Sequence, residues 1–234
     1  MTDRISLVTG AGQGIGLTLC RLLIEAGDTV VACPRAEGSE ALAALGGAHP
    51  GRLHQVAMDV ESEASIERAA REVECRVDRI DLLFNNAGVL HRGQSSVGKL
   101  DTDQLLHAYR VNAVGPLRVT AAFLPLLRKG TGRRLIQVTS LMGSIEDNRM
   151  GGTYGYRMSK AALNMAVRNL AIELGPEGFL VLAIHPGWVK TRLGGDRAPL
   201  ALEPATAEVL RIALDAGPEE NGAFLGPGGK RLPY

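Results

Sequence analysis

Aromatic side chains are scarce in this sequence, 4% of 234 residues with one tryptophan among them. Platforms that stack single-stranded nucleic acid need exposed rings along a basic groove, so that class of partner is excluded. Excess charge is lacking too: 26 Lys and Arg stand against 25 Asp and Glu, a formal net charge of +1. No general field draws the chain to a polyanion or an anionic membrane, and any anion it binds is held locally. The three cysteines, Cys20, Cys33 and Cys75, are odd in number and show no C-x-x-C spacing, which excludes a disulfide framework and a zinc knuckle and fits a reducing compartment. No apolar run approaches the roughly 18 residues that span a bilayer, and Met1-Thr2-Asp3-Arg4 lacks the basic and apolar regions of an export signal. A soluble, cytoplasmic protein is expected. The histidines, at 49, 54, 91, 107 and 185, show no metal-ligand spacing, so no metal site is expected.

What is present is globular: 45% hydrophobic and 22% charged residues. A chain of this length folds well as one domain, residues 1–234, burying roughly 70% of its unfolded surface. Short runs rich in Val, Ile and Leu recur at Ile5–Val8, Thr29–Cys33, Leu53–Met58, Ile80–Phe84, Leu135–Val138 and Leu180–Ile184. They are too short for helices and too continuous for one-sided sheets, and read as buried parallel strands. Helical periodicity lies between them, first on Ile15, Leu19, Leu22, Leu23 and Ala26 before the stop at Gly27, then near Ser62–Val77, Thr102–Arg128, Tyr156–Leu174 and Ala205–Leu214. Such alternation requires right-handed crossovers, giving an α/β, doubly wound, mostly parallel sheet with helices on both faces and ligands at the carboxyl ends of its strands. The glycine-rich stretch after Thr191 reads as a mobile substrate flap at about 192–215.

The first strand ends in Thr9-Gly10-Ala11-Gly12-Gln13-Gly14-Ile15-Gly16 and leads directly into a helix. Glycines there allow a tight turn and let a pyrophosphate approach backbone N–H groups at the helix N-terminus. A plain strand-to-helix turn is the competing reading. The second strand ends in Cys33-Pro34-Arg35 with no acid to accept from a ribose 2′-OH. Arg35 favours the 2′-phosphate of NADP(H), with NAD(H) the alternative that nearby Glu37 keeps open. Asp59 ends the third strand, where it either accepts from an adenine amino group or caps a turn. Asn85-Asn86-Ala87-Gly88, after the fourth strand, suits close packing along a bound adenosine.

Tyr156 and Lys160 open an apolar helix four residues apart, which puts both on one face and brings an ammonium near a phenol. An unperturbed phenol, with a pKa near ~10, is a weak acid–base group at neutral pH, and an adjacent cation would lower that value. Ser140, after Val138-Thr139, points a hydroxyl at the same carboxyl edge, where it can hydrogen-bond a carbonyl.

Together, T-G-x-x-x-G-x-G, N-N-A-G, the serine and Y-x-x-x-K resemble the short-chain dehydrogenase/reductase family over essentially the whole chain. Tyr156–Met165, His185–Thr191, Leu193–Gly195 and the ending Leu232-Pro233-Tyr234 resemble its sniffer and C-factor branch of carbonyl reductases. The resemblance implies a single Rossmann-type domain that moves a hydride between NADP(H) and a carbonyl or secondary alcohol. Tyr156 would be the general acid, Ser140 would orient the substrate oxygen, and Lys160 would lower the tyrosine pKa while holding the nicotinamide ribose. Asn112 would hold a relay water. Gly10, Gly14, Ile15, Gly16, Asp59, Val60, Asn86, Ala87 and Gly88 would line the cofactor, and Pro186, Gly187, Val189 and Thr191 would meet the nicotinamide carboxamide. Gln13, the late position of Arg35 and the slightly long loop from Ser140 to Tyr156, which contains Ile145–Gly152, depart from the usual pattern. The resemblance also implies a small-molecule carbonyl or alcohol as partner and a homodimer or homotetramer built on the two long helices. A nucleotide-binding sensor with little turnover is the other reading that family membership allows.

Overall fold

The computed structural model describes residues 4–93 and 96–234; the N-terminal residues read for an export signal lie outside that range except for Arg4. The apolar runs form β1 (Ile5–Thr9), β2 (Thr29–Cys33), β3 (Leu53–Gln55), β4 (Leu82–Asn85), β5 (Arg134–Val138) and β6 (Leu180–Ile184). A two-residue β7 (Phe224–Leu225) was not legible in the sequence. Among the described residues these strands make one sheet in the order β3-β2-β1-β4-β5-β6-β7, parallel at every pairing. The order reverses between β1 and β4, the switch point at which doubly wound sheets open a crevice for ligands.

The helices are α1 (Gly14–Glu25), α2 (Glu40–Ala48), α3 (Glu63–Glu74), α4 (Thr102–Tyr109), α5 (Gly115–Lys129), α6 (Tyr154–Leu174) and α7 (Leu202–Asp215). The sequence did not suggest α2. Only Leu42 of its nine residues is fully buried, so it leaves almost no apolar period, and it is held at its start by Ser39 Oγ, which accepts from Leu42 N. The single helix expected over 102–128 is instead α4 and α5 joined by one π turn, Arg110–Val114. The expected third strand stops at Gln55, although Val56 N and Met58 N still donate to the carbonyls of Ala32 and Pro34 as the chain diverges.

Successive strand residues alternate between two cores. Leu7, Val31, Leu83 and Leu135 face Val73, Phe123, Leu127 and Val167 on one side, while Val8, Val30, Phe84 and Ile136 face Leu19, Leu23 and Val209 on the other. Each such side chain contributes roughly 1.5–3 kcal/mol by leaving water. Of the stretch expected as a flap at about 192–215, residues 202–215 are α7, whose Ala205, Val209, Ile212 and Ala213 are buried in the second core. That part is a structural helix, which leaves 192–201 as the segment outside it.

The amino edge of the sheet is closed by two buried carboxylates. Asp28 accepts from Arg4 Nε (2.8 Å) and Ser6 Oγ (2.6 Å). Asp81 accepts from the backbone of Ile5 (2.9 Å) and Thr131 (2.8 Å).

Candidate active site

At the carboxyl edge, Gly10 and Gly14 take left-handed backbone conformations (φ +63° and +54°), which only glycine adopts without strain. A Cβ on Gly16 would collide with the Gly10 carbonyl, so the turn can be this tight only with glycine there. Thr9 Oγ1 accepts from the backbone N–H of both Asn86 and Ala87 (3.0 Å each), and Asn86 Nδ2 donates to Thr9 O (2.9 Å). The glycine turn and the 86–88 turn are therefore stitched into one rigid floor, and a Cβ on Gly10 would stand 2.9 Å from Ala87 Cα. Thr9 opens the glycine motif in the sequence, but nothing there assigned its hydroxyl this role.

The N-terminus of α1 opens over this floor. Gln13, the residue before it, makes no side-chain cap, and the first turn of α1 holds no acidic residue. Its N–H groups and the positive end of its dipole suit a bound phosphate anion. Gly12 abuts Pro34, with 3.5 Å between a Cβ built on it and Pro34 Cβ, which brings the β2–α2 connection with exposed Arg35 alongside the turn. Asp59 Oδ1 accepts from Glu61 N (3.0 Å), the turn-cap geometry, and buried Val60 follows it. Ile15 packs against the second core from the first turn of α1.

Tyr156, Lys160, Ser140 and Asn112 converge behind this floor, each less than 9% exposed. The Ser140 hydroxyl, which accepts from Met142 N (3.2 Å), neighbours the Tyr156 phenol and acts to lower its pKa. Lys160 Nζ lies 5.8 Å from the centre of the Tyr156 ring and donates to Val138 O (2.8 Å). Gly88 closes the group, its Cβ position lying 3.7 Å from Lys160 Nζ and 3.3 Å from Asn112 Oδ1. Burial pushes the Tyr156 phenol up to about 12 against the opposing effect of Ser140, and burial pushes the Lys160 ammonium down to about 8. The lowering of the tyrosine expected from Lys160 is not seen: burial raises its pKa, and only Ser140 opposes that rise.

Asn112 sits in the π turn. Its Oδ1 accepts from Val89 N (2.8 Å), and its Nδ2 donates to Val89 O (2.9 Å) and to Ser159 Oγ (3.0 Å). Both amide hydrogens are thereby committed to clamping the β4 exit onto α6. Ser159, fully buried next to Lys160, is a residue whose role sequence reasoning missed.

The turn after β6 completes the site. Gly187 is left-handed (φ +83°), and a Cβ there would collide with Leu200. Pro186 precedes it and buried Val189 follows. Thr191 Oγ1 accepts from Gly194 N (3.0 Å), and Thr191 Cγ2 lies 3.6 Å from a Cβ built on Gly14. The 186–191 turn therefore leans on the glycine turn at the carboxyl edge of the sheet. No group of three or more His, Cys, Asp or Glu able to hold a metal occurs among the described residues.

The family model described as short chain dehydrogenase matches residues 4–199. This chain belongs to that family. It is an oxidoreductase with a Rossmann-type sheet, as the sequence implied. The short-chain dehydrogenase is 46% identical over 155 residues to C-signal of Myxococcus xanthus, which spans 66% of this chain and 93% of that protein. It is 36% identical over 222 residues to a 1-hydroxy-2-glutathionyl-2-methyl-3-butene dehydrogenase of Rhodococcus sp. strain AD45, spanning 93% of this chain and 94% of that one. Among solved structures, an NADPH-bound carbonyl reductase from chicken fatty liver and the carbonyl reductase Sniffer of D. melanogaster each superpose with a TM-score of 0.93 over the full length of both chains, at 31% and 30% identity. The resemblance to the sniffer and C-factor branch is borne out by these neighbours.

Proposed function

We propose that this dehydrogenase reduces a ketone or aldehyde with NADPH, reversibly. The observation that carries the reading is the meeting of two neighbouring hydroxyls, Tyr156 and Ser140, with a buried lysine close to the glycine turn. The uncapped start of α1 would take the pyrophosphate, Arg35 the 2′-phosphate, Asp59 and Val60 the adenine, and Asn86, Ala87 and Gly88 the adenosine half. Lys160 would hold the nicotinamide ribose, and Pro186, Gly187, Val189 and Thr191 the carboxamide. An NADPH-bound structural neighbour supports the cofactor, as does the absence of an acid at the end of β2.

The cofactor supplies a hydride; the chain's part is to position and polarise. A phenol whose pKa is pushed up to about 12 keeps its proton at neutral pH and serves as an acid toward a carbonyl oxygen gaining negative charge. Ser140 would donate to the same oxygen, and Lys160, charged below about pH 8, would stabilise the phenolate that the transfer leaves. Because the Asn112 amide hydrogens are used, a relay water would be held by its main-chain carbonyl or the second lone pair of Oδ1.

The substrate would be a small-molecule carbonyl or alcohol, with residues 192–201 folding over it. Exposed Leu106, Tyr109 and Leu117 on α4 and α5 and Met158, Met165 and Ile172 on α6 support pairing of two or four copies through these helices. A solution mass of only ~25 kDa would reject that pairing. Among the described residues no helix is long and apolar enough to cross a membrane, and a cytoplasmic location remains part of this reading.

The deciding test follows NADPH absorbance across a panel of ketones and aldehydes. Sustained consumption that Tyr156→Phe reduces by about 10²–10⁴-fold, with NADPH affinity intact, supports the reductase. Tight NADPH binding without turnover on any carbonyl supports the sensor instead.

A further inference from the structure

Ser140 and Tyr156 are separated by a loop, residues 141–153, that is fastened from the far end of the chain. A 3-10 turn, Leu141–Gly143, leads to buried Ser144, whose Oγ accepts from Asp147 N (3.0 Å) and donates to the main-chain oxygen of Tyr234 (3.4 Å). Glu146 N donates to that same oxygen (3.1 Å). Tyr234 is itself anchored twice. Its phenol donates to Gly222 O (2.7 Å), and its ring packs on buried Phe224 with 5.6 Å between centroids. Leu232 N donates to Phe224 O (2.8 Å), so residues 232–234 form a strap from β7 across to the loop.

From Ile145 onward the loop is open to solvent, with Ile145 79% and Met150 89% exposed. It returns through three consecutive left-handed residues, Gly151, Gly152 and Thr153 (φ +61°, +63° and +47°), of which only the threonine carries a side chain against that conformation. On this side Arg157 Nε donates to Gly151 O (3.0 Å). The loop is thus pinned at Ser144–Asp147 by the strap and at Gly151 by α6, with 148–150 spanning the gap.

We propose that Tyr234 is a positioning residue: through Ser144 and Glu146 it sets how the 141–153 loop sits beside the two hydroxyls, and so governs affinity for the carbonyl substrate. The proposal rests on the reading of Ser140 and Tyr156 as the reacting groups, and its test has one readout that does not. Exposed Arg149 lies in the pinned loop and offers trypsin a cleavage site. Tyr234→Ala should speed cleavage after Arg149 by about tenfold, the equivalent of one lost anchoring interaction. In NADPH-coupled assays the same variant should raise KM for the carbonyl by about tenfold while kcat and NADPH Kd stay within about twofold. Tyr234→Phe, which loses only the bond to Gly222, should move both readouts in the same direction by a smaller factor and covers the case in which the alanine variant fails to fold. Unchanged cleavage at Arg149 in a folded variant overturns the strap. Faster cleavage with unchanged KM, or a joint shift of KM, kcat and NADPH Kd, overturns the positioning role. If the unmodified protein turns over no carbonyl, the reductase reading fails, while accelerated cleavage would still support the strap.

Discussion

The two edges of the sheet treat buried charge in opposite ways. At the amino edge, Asp81 meets N–H groups of Ile5, Thr131 and Gly132 and the Arg79 guanidinium; burial raises its pKa, and these partners outweigh it to hold the carboxyl below the usual range. At the carboxyl edge, Tyr156 and Lys160 are both driven by burial toward their neutral forms, and few partners oppose it. A group satisfied in its charged state contributes to stability. A group kept short of partners is left with interactions to make when a ligand arrives. The edge proposed to bind is the one whose titratable groups burial drives toward neutrality.

The largest expected break in this contrast comes from Lys160→Met. Loss of a desolvated charge acting on the reacting oxygen should lower kcat by about 10²–10³-fold. In the unmodified protein, kcat/KM for reduction should fall as pH rises through about 8, where Lys160 loses its proton, and stopped-flow pH profiles should show that limb vanish in the variant. A limb that survives the substitution would assign it to another group.

Asp81→Asn tests the opposite edge. One amide nitrogen would then face N–H donors, with an expected loss of about 3 kcal/mol in urea unfolding. Because the folded pKa of Asp81 is depressed, its contribution is fully present above the unfolded value near ~3.9 and disappears as pH falls through the lower folded value. The variant should therefore lose less of its stability over that acid range, and NADPH affinity of the folded protein should not change.

Arg35→Ala sharpens the reading of the cofactor groove. Removing a charged partner of the 2′-phosphate should weaken NADPH by about tenfold and leave NADH unaffected, measured by fluorescence titration. The smallest effect belongs to Gln137, fully buried in β5 with no protein partner for either amide atom. Gln137→Met should change unfolding free energy by less than about 1 kcal/mol or raise it, since no protein hydrogen bond is lost. A drop of several kcal/mol would show that its amide is satisfied after all.

Much of this was legible because burial on both faces of a parallel sheet forces continuous apolar runs, and six strands announce themselves that way. β7 is too short to leave such a run. α2 buries too little to impose a period, and apolar spacing alone does not register a π turn, so α4 and α5 read as one helix. Among the site residues, Gly10, Gly14 and Gly16 were visible because backbone geometry dictates residue type at those positions. The roles of Thr9 and Ser159 were not, since a small hydroxyl is compatible with many environments, and only partners 77 and 47 residues away define them.

The sequence by itself determined the alternation of strands and helices, the glycine turn, and the shared helical face of Tyr156 and Lys160, because each depends on interactions among near neighbours along the chain. Tertiary structure alone decided that Asn112 clamps Val89 to α6, that burial raises rather than lowers the tyrosine pKa, and that Tyr234 reaches the loop after Ser140. Those outcomes depend on which distant groups meet and how much water their meeting excludes, quantities that no local pattern encodes.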